Sequence, residues 1–452
     1  MKNLRDALDY LYSFVSYERK AQWNYSDKTL NLKRFQTLLT ELGGPQNQLR
    51  IIHVAGSDGK GSTCAFLASL LQAKGYRVGL YTSPHLHHIR ERIQIDGRCI
   101  SAPAFVRWTQ ALKQTVERRN HPHRGYATFF ELLTAMAFLY FKERGVDYAV
   151  IETGLGGRLD ATNVANPLVS IITHISMEHS HLLGDTLEKI ADEKLGIVRP
   201  DAPVAIGSQD ASLLPHFEKR LLDRNAASVF VDRDYEIISQ QTDRKGRKFI
   251  VESKRSRQQW TLRIPLLGRY QGRNAVTALA ALQAMQAAGT LPAFTLRQLQ
   301  QGFAATQWPG RFEVIRRARR APVVLDVAHT VKGAAALRES LDESFPKQRR
   351  VFVCGFLQDK DAAGMVKELC RPDDVLVLTQ APTPRGMSIR QIEDLLTHNG
   401  VQPPREIERR KPPRSALRRA LQLAAPRDVI VVAGSLYLIG ALRNTCLKDS
   451  HG

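Results

Sequence analysis

The sequence predicts an α/β protein of two domains: a P-loop-type parallel-sheet domain followed by a smaller Rossmann-like α/β domain. Three observations lead there. Short β-branched apolar runs alternate with helical periodicity along most of the chain, the pattern of parallel strands joined by crossover helices. A glycine-rich turn within His53 to Ser62 lies between the first such strand and the first such helix. The alternation breaks at Trp308-Pro309-Gly310 and then restarts, which divides the chain into residues 1–307 and 308–452. A length of 452 residues is also more than one hydrophobic core accommodates.

Taken in order, Leu49 to Ala55 reads as a strand, Lys60 to Lys74 as a helix and Tyr76 to Tyr81 as a second strand. An apolar helix follows at Thr128 to Phe141, then strands at Asp147 to Glu152 and Leu168 to Thr173. Thr186 to Leu195 is helical, Val204 to Ile206 is a short strand, and Phe249 to Ile264 forms a hairpin. Gly272 to Ala288 is an Ala-rich helix with Asn274 near its start. Beyond the Trp-Pro-Gly turn come strand Val323 to Leu325, helix Val331 to Leu341 and strand Arg350 to Cys354. Helix Ala362 to Leu369 and strands Val375 to Leu378 and Val429 to Val432 complete the series. The Pro-rich, basic stretch Gln402 to Arg414 reads as an exposed loop.

Composition narrows the class. A hydrophobic fraction of 43% and a charged fraction of 24% are those of an ordinary globular chain. No apolar run approaches the roughly 20 residues of a membrane span, and the amino terminus carries acidic residues where a signal peptide needs apolar ones. Five scattered cysteines without a C-x-x-C pair point to reduced thiols and a cytoplasmic setting. The net charge of +21 admits two readings. Clusters such as Arg316, Arg317, Arg319 and Arg320, or Arg409, Arg410 and Lys411, can follow a nucleic-acid backbone or draw small anionic substrates. No zinc-ligand spacing or aromatic-interleaved basic stripe accompanies them, so nucleic acid is not expected as a main partner.

The sharpest local signal is H-V-A-G-S-D-G-K-G-S, His53 to Ser62. Glycines let successive backbone N–H groups face one anion, and a helix N-terminus with the Lys60 ammonium adds positive charge. The string departs from G-x-x-x-x-G-K-[ST], since Val54 stands at the first glycine and Gly61 follows the lysine. A tight strand–helix turn without ligand is the competing explanation for this motif alone.

Further strings accompany it: Y-T-S-P-H-L (Tyr81 to Leu86), T-F-F-E-L-L (Thr128 to Leu133) and E-T-G-L-G-G-R-L-D-A-T-N (Glu152 to Asn163). A-D-E-K-L-G-I (Ala191 to Ile197), Q-G-R-N-A (Gln271 to Ala275), W-P-G-R-F-E (Trp308 to Glu313) and D-V-A-H (Asp326 to His329) follow in order. With them the chain resembles the Mur ligase superfamily, specifically the folylpolyglutamate synthases and bifunctional dihydrofolate synthases. The resemblance implies an ATP-dependent amide ligase that adds L-glutamate to dihydropteroate, to a folate γ-carboxylate, or to both, through an acyl phosphate. It implies small-molecule partners and a monomer.

Residue by residue, the likeness assigns nucleotide binding to Gly56, Asp58, Gly59, Lys60, Gly61, Ser62, Asn274, Arg311 and Asp326. Two magnesium ions are implied, with Ser83, Glu152, His179 and Lys194 as metal-site residues. The second ion binds through Lys194 once carbon dioxide has carboxylated it. An ordinary helix lysine paired with Glu188, Asp192 or Glu193 is the alternative for Lys194. Lys60, Lys194 and His329 are the implied catalytic residues. Thr128, Phe129, Phe130, Glu131, Leu159, Asp160 and Ala161 match the pterin-contacting stretches, although core packing accounts equally for Phe129 and Phe130.

Three departures from the family pattern, at four positions, stand out. Asp58 replaces an asparagine and should repel a triphosphate unless a cation or proton intervenes. Glu178 replaces an aspartate, and Val327 and Thr330 replace a glycine and an amide. They motivate two alternatives: a Mur-type ligase for another acid, and a degenerate paralogue that binds a pterin-like ligand without turnover.

Overall fold

A computed structural model describes residues 1–19, 23, 25–26, 28–118, 127–243 and 245–448. The chain divides into two compact units. The first comprises Met1–Gln240, Phe249–Arg263 and Arg273–Thr306, and the second Gln241–Lys248, Ile264–Gly272 and Gln307–Gly452.

The first unit is built on eight strands: β1 (Ile51–Ala55), β2 (Val78–Tyr81), β3 (Ile93–Ile95), β4 (Arg98–Cys99), β5 (Tyr148–Glu152), β6 (Pro167–Ile172), β7 (Val204–Ile206) and β8 (Ser228–Phe230). Their order is β4-β3-β2-β5-β1-β6-β7-β8. The six from β2 to β8 run parallel, and β3 and β4 add an antiparallel edge. Central β1 is apolar apart from His53 and buried at all five positions, as a strand covered on both faces requires.

Register brings Val54 beside Glu152, Ala55 beside Ile172 and Tyr81 beside Ile151, so β1, β2, β5 and β6 end at the same edge. Carboxyl edges of parallel sheets are where α/β proteins collect their ligands. Helix Lys60–Ala73 leaves β1 there. Gly302 permits helix Leu296–Ala305 to press against it, because a Cβ at that position would lie 2.7 Å from Leu70 Cα. Helix Phe129–Glu143 is buried almost all round and starts with a capping box: Glu131 N donates to Thr128 Oγ1 and Thr128 N to Glu131 Oε2. Phe35, Phe105, Phe138 and Phe141 anchor one core cluster, with Ile51, Ala149 and Ile151 of the sheet, and Ile190, Leu195 and Phe217 anchor another, with Ala55, Ile172 and Ile206.

A three-stranded sheet, order β11-β10-β9, follows with β9 (Tyr235–Asp243), β10 (Gly246–Ser253) and β11 (Gln259–Ile264). The expected hairpin is present as β10 and β11, and β9 extends it. The second unit contains β12 (Glu313–Ile315), β13 (Val323–Leu325), β14 (Arg350–Cys354), β15 (Val375–Leu378), β16 (Glu406–Arg409) and β17 (Val429–Ala433). Their order is β12-β13-β17-β14-β15-β16, parallel except for β12. Two parallel-sheet units bear out the α/β fold class.

One expectation is corrected. Gln402 to Arg414 is not a loop throughout: Glu406–Arg409 pairs with β15 as an edge strand, and Pro413 opens helix Pro413–Leu423. Its charged residues hid the strand, because an edge strand need not carry the apolar run that marks a central one. Glu408 binds Arg419 at 2.7 Å and Arg410 at 3.1 Å.

Buried ion pairs hold the second unit at the amino ends of its strands. Asp374, almost fully buried, accepts from Arg338 Nη1 at 2.8 Å and from the backbone N–H groups of Arg350 and Arg371. Arg350 Nη2 in turn donates to Asp342 at 2.7 Å. Removing one partner of such a buried pair strands the other's charge. Asp374→Ala is therefore expected to destabilise the second unit by about 3–5 kcal/mol, read as a lower urea midpoint for its unfolding.

Candidate active site

The backbone from Gly56 to Lys60 turns sharply off β1. Gly56 has φ +146°, and a Cβ there would collide with Thr173 Oγ1 at 1.8 Å. Gly59 has φ +87°, and a Cβ would lie 2.4 Å from Asn274 Oδ1. Both positions thus require glycine. The loop is partly tied down from within, since Ser57 N and Asp58 N both donate to His174 O at 2.9 and 3.1 Å. The first intrahelical bond runs from Thr63 N to Gly59 O, which leaves Lys60, Gly61 and Ser62 at the positive helix end. Asn274 reaches Gly59 from the first turn of helix Gln271–Ala287.

Two ammonium groups converge on this turn. Lys60 Nζ donates to Gly56 O at 3.0 Å and to Ser57 O at 3.1 Å. Lys194 Nζ, from helix Leu187–Leu195, donates to the same Gly56 O at 2.9 Å. Lys194 is only 4% exposed, and burial together with the Lys60 charge lowers its pKa from 10.5 to about 7. The charges of Glu178, Asp58 and Asp160 act in the opposite sense. The alternative of an ordinary helix lysine does not describe this side chain: Asp192 is taken by His216 and Arg220, and Glu193 by Tyr25 and Arg158.

Across the strand ends, Glu152 is 4% exposed and its Oε2 accepts from Ser83 N at 3.0 Å. Ser83 and Glu152 are therefore neighbours, joined through the backbone N–H of Ser83. His179 stands apart in its environment, 41% exposed at the side chain, in a left-handed conformation and 3.7 Å from Glu178. Among the described residues, no cluster of three or more His, Cys, Asp or Glu is poised to hold a metal. Ser83 and Glu152 carry oxygen donors of the hard kind that magnesium takes, and a cation that keeps several waters needs few protein ligands. Asp58 turns its carboxylate to Ser176 Oγ at 2.8 Å.

The residues expected around the pterin sort by exposure. Thr128 and Glu131 are buried in the capping box, and Glu131 also binds Arg34 at 2.9 Å. Phe129 lies in the core, stacked on Tyr12 with centroids 5.3 Å apart. Leu159 and Ala161 are buried, and buried Asp160 accepts from Gly154 N, Leu155 N and Thr162 N. Phe130 alone of the seven is half-buried; its ring lies against Gly154, where a Cβ would come within 2.6 Å.

Sequence reasoning missed what flanks this loop. Tyr25 Oη donates to Glu193 at 2.9 Å and accepts from Leu159 N, and buried Arg92 forms a two-pronged pair with Glu18 at 2.7 Å. No spacing rule signals partners so remote in the chain.

In the second unit, Asp326 follows β13 and is buried. It accepts from Phe312 N at 2.7 Å, Ala328 N at 2.8 Å and Tyr270 Oη at 3.2 Å, while burial raises its pKa. Arg311 is close enough to oppose that rise. His329 Nδ1 faces Val327 O at 3.1 Å, and Thr330 caps helix Val331–Ser344 through Gly333 N. Thr330 thus has a structural task of its own.

Comparison with known proteins adds to this geometry. Residues 54–282 match the Mur ligase middle domain, and residues 310–436 the Mur ligase glutamate ligase domain. The folylpolyglutamate synthase of Lacticaseibacillus casei is 35% identical over 93% of this chain and 95% of that protein. The dihydrofolate synthase/folylpolyglutamate synthase of Bacillus subtilis is 30% identical over 95% of this chain and 99% of that protein. Among solved structures, Mycobacterium tuberculosis folylpolyglutamate synthase complexed with ADP superposes with a TM-score of 0.85 at 31% identity, covering 98% of this chain and 99% of that one.

Two outcomes follow from the loop. Gly59→Ala, forced against Asn274 at positive φ, should weaken nucleotide binding by about tenfold or more in a direct titration. Lys194 has a folded-state pKa below its unfolded value, so the unfolded chain binds the extra proton between about pH 7 and 10.5. Stability of the nucleotide-free protein should therefore rise as pH climbs through this window, and Lys194→Met should flatten that rise in denaturant titrations.

Proposed function

The chain belongs to the folylpolyglutamate and dihydrofolate synthase family of Mur ligases, and we propose that it works through the loop and strand ends of its first unit. It is an ATP-dependent ligase that adds L-glutamate to a folate-type acid. The comparisons favour this over a ligase for another acid and over a non-catalytic paralogue. Dihydropteroate, the γ-carboxylate of a folate, or both serve as acceptor.

The single observation that carries the reading is the convergence of Lys60 and Lys194 on Gly56 O at the start of a helix, with Glu152 at the neighbouring strand end. The Lys60 ammonium and the helix start bind a triphosphate and spread the negative charge that accumulates as its terminal phosphoryl group moves, while Lys194 lies within reach of the same turn. The acid's carboxylate oxygen attacks that phosphorus, ADP leaves, and an acyl phosphate forms. The glutamate amine then attacks the acyl carbon, inorganic phosphate leaves with the C–O electron pair, and the amine's proton passes to solvent.

Ser83 and Glu152 would hold a magnesium ion, which when bound neutralises phosphate charge. His179 is a candidate for a further ligand. Lys194 would join the set as a carbamate: its lowered pKa supplies the neutral amine that reacts with carbon dioxide, and Lys60 offers the resulting anion a partner. Gly56, Gly59, Gly61, Ser62 and Asn274 are the first unit's candidates for phosphate contact, and Arg311, Asp326 and His329 are the second unit's candidates for nucleotide contact. Phe130 and the segment Leu159 to Ala161 border the acid pocket, with Thr128, Phe129 and Glu131 supporting it from the core. Five free thiols support a reducing, cytoplasmic setting, and no helix among the described residues is long and apolar enough to cross a membrane. The family resemblance favours a monomer.

Phosphate release with ATP, magnesium, bicarbonate, L-glutamate and either dihydropteroate or tetrahydrofolate tests the reading. Wild-type turnover with at least one acid is expected, and none with either would overturn it. Lys60→Ala should lower the rate by about a hundredfold or more while the circular-dichroism spectrum persists. Asp58→Asn, which removes a carboxylate beside the triphosphate, should tighten nucleotide binding severalfold; weaker binding would contradict the repulsion argument.

A further inference from the structure

Beneath the acid pocket runs a hydrogen-bonded chain that the reaction itself does not use. His53, in the middle of β1, is fully buried and its Nε2 lies 2.8 Å from Thr162 Oγ1. Thr162, also fully buried, donates from that hydroxyl to Asp160 Oδ1 at 2.5 Å. A hydroxyl has one proton, and it is committed to Asp160. The oxygen must therefore accept from His53, which fixes the neutral Nε2–H tautomer. The other ring nitrogen, Nδ1, is buried and has no hydrogen-bond partner among the described residues, as befits an unprotonated nitrogen. Burial holds the pKa of this imidazole down at about 3, so the tautomer persists over the working range of pH.

The chain ends in a carboxylate that sets a backbone. Asp160 Oδ2 accepts from Gly154 N at 2.8 Å and Leu155 N at 2.9 Å, two and three residues beyond Glu152. Phe130 rests directly on that backbone at Gly154. By contrast, the backbone of β1 is laddered to both β5 and β6, so it reaches the phosphate loop without help from the His53 side chain.

We infer that His53 and Thr162 are positioning residues for the acid substrate: through Asp160 they fix the Gly154–Leu155 backbone that forms the floor under Phe130, and they do not serve the nucleotide. This rests on the acid pocket proposed above. A buried chain of this sort acts like the outer shell of a metal site, whose loss shifts affinity without touching the ligand.

The test compares wild type with Thr162→Val, which keeps the shape and loses the hydroxyl, and Thr162→Ser, which keeps the hydroxyl. Binding of dihydropteroate and of magnesium-AMPPCP is titrated separately, without turnover. Thr162→Val should weaken dihydropteroate by about tenfold or more and leave AMPPCP within about twofold. Thr162→Ser should restore dihydropteroate to within about threefold of wild type. In 15N-edited spectra the His53 ring should show the Nε2–H pattern from pH 5.5 to 8.5 in wild type, and a displaced signal in Thr162→Val. Equal loss of both ligands, unchanged dihydropteroate binding in Thr162→Val, or failure of serine to rescue would each overturn the inference. Failure of the ligase reading would appear elsewhere, as a wild type that binds dihydropteroate but releases no phosphate.

Discussion

Two lysine side chains share one carbonyl oxygen, and the first unit surrounds them with little opposing charge. Like charges so close and so dry repel strongly unless something nearby carries the opposite charge. Burial and the Lys60 charge disfavour the ammonium form of Lys194, and the start of helix Lys60–Ala73 adds to the positive potential. The resident compensation is modest: the Gly56 carbonyl, and the carboxylates of Asp58 and Glu178 acting on Lys194. Such a site is preorganised for an anion, because the electrostatic work of assembling the positive groups is done during folding and not during binding.

The arrangement also depends on backbones that touch. Lys194 reaches the loop only because helix Leu187–Leu195 lies hard against the segment after β5. A Cβ at Gly157 would sit 2.7 Å from Glu193 O, and one at Gly196 would sit 2.5 Å from Arg158 Cα. The glycines of G-L-G-G and K-L-G therefore act as spacers of zero thickness between helix and loop. This places the glycine-rich stretch among the determinants of the cationic centre, although neither glycine faces a ligand.

How much of this was legible in the sequence follows from what each element buries. Strands Val204–Ile206, Val323–Leu325, Arg350–Cys354 and Val375–Leu378 lie where the apolar runs put them, because a parallel strand covered on both faces must be apolar throughout. Edge strand Glu406–Arg409 and strand Tyr235–Asp243 lack that pressure and carry polar residues, so periodicity passes over them. Lys60 and Glu152 were readable because a glycine pattern and a strand end mark their places. Partnerships between distant positions were not: Arg34 meets Glu131 across 97 residues, and His53 meets Thr162 across 109. Thr128 and Glu131 carried a second signal, the S/T-x-x-E spacing of a helix start, and the structure realises it.

Part of the surplus of arginine is spent inside the second unit, where Arg338 and Arg350 are held by Asp342 and Asp374, and at its rim, where Arg443 binds Glu313. The rim strand Glu406–Arg409 has a consequence of its own. One side of β16 is satisfied by β15, while the outer side lies at the end of the sheet. Three of its four residues are charged, and Glu408 and Arg409 already have partners, so an incoming chain attempting to stack onto that border would have to strip water from those charges. The sheet is thereby terminated chemically as well as geometrically, a safeguard against fibrillar growth in a domain whose remaining strands are almost wholly hydrophobic.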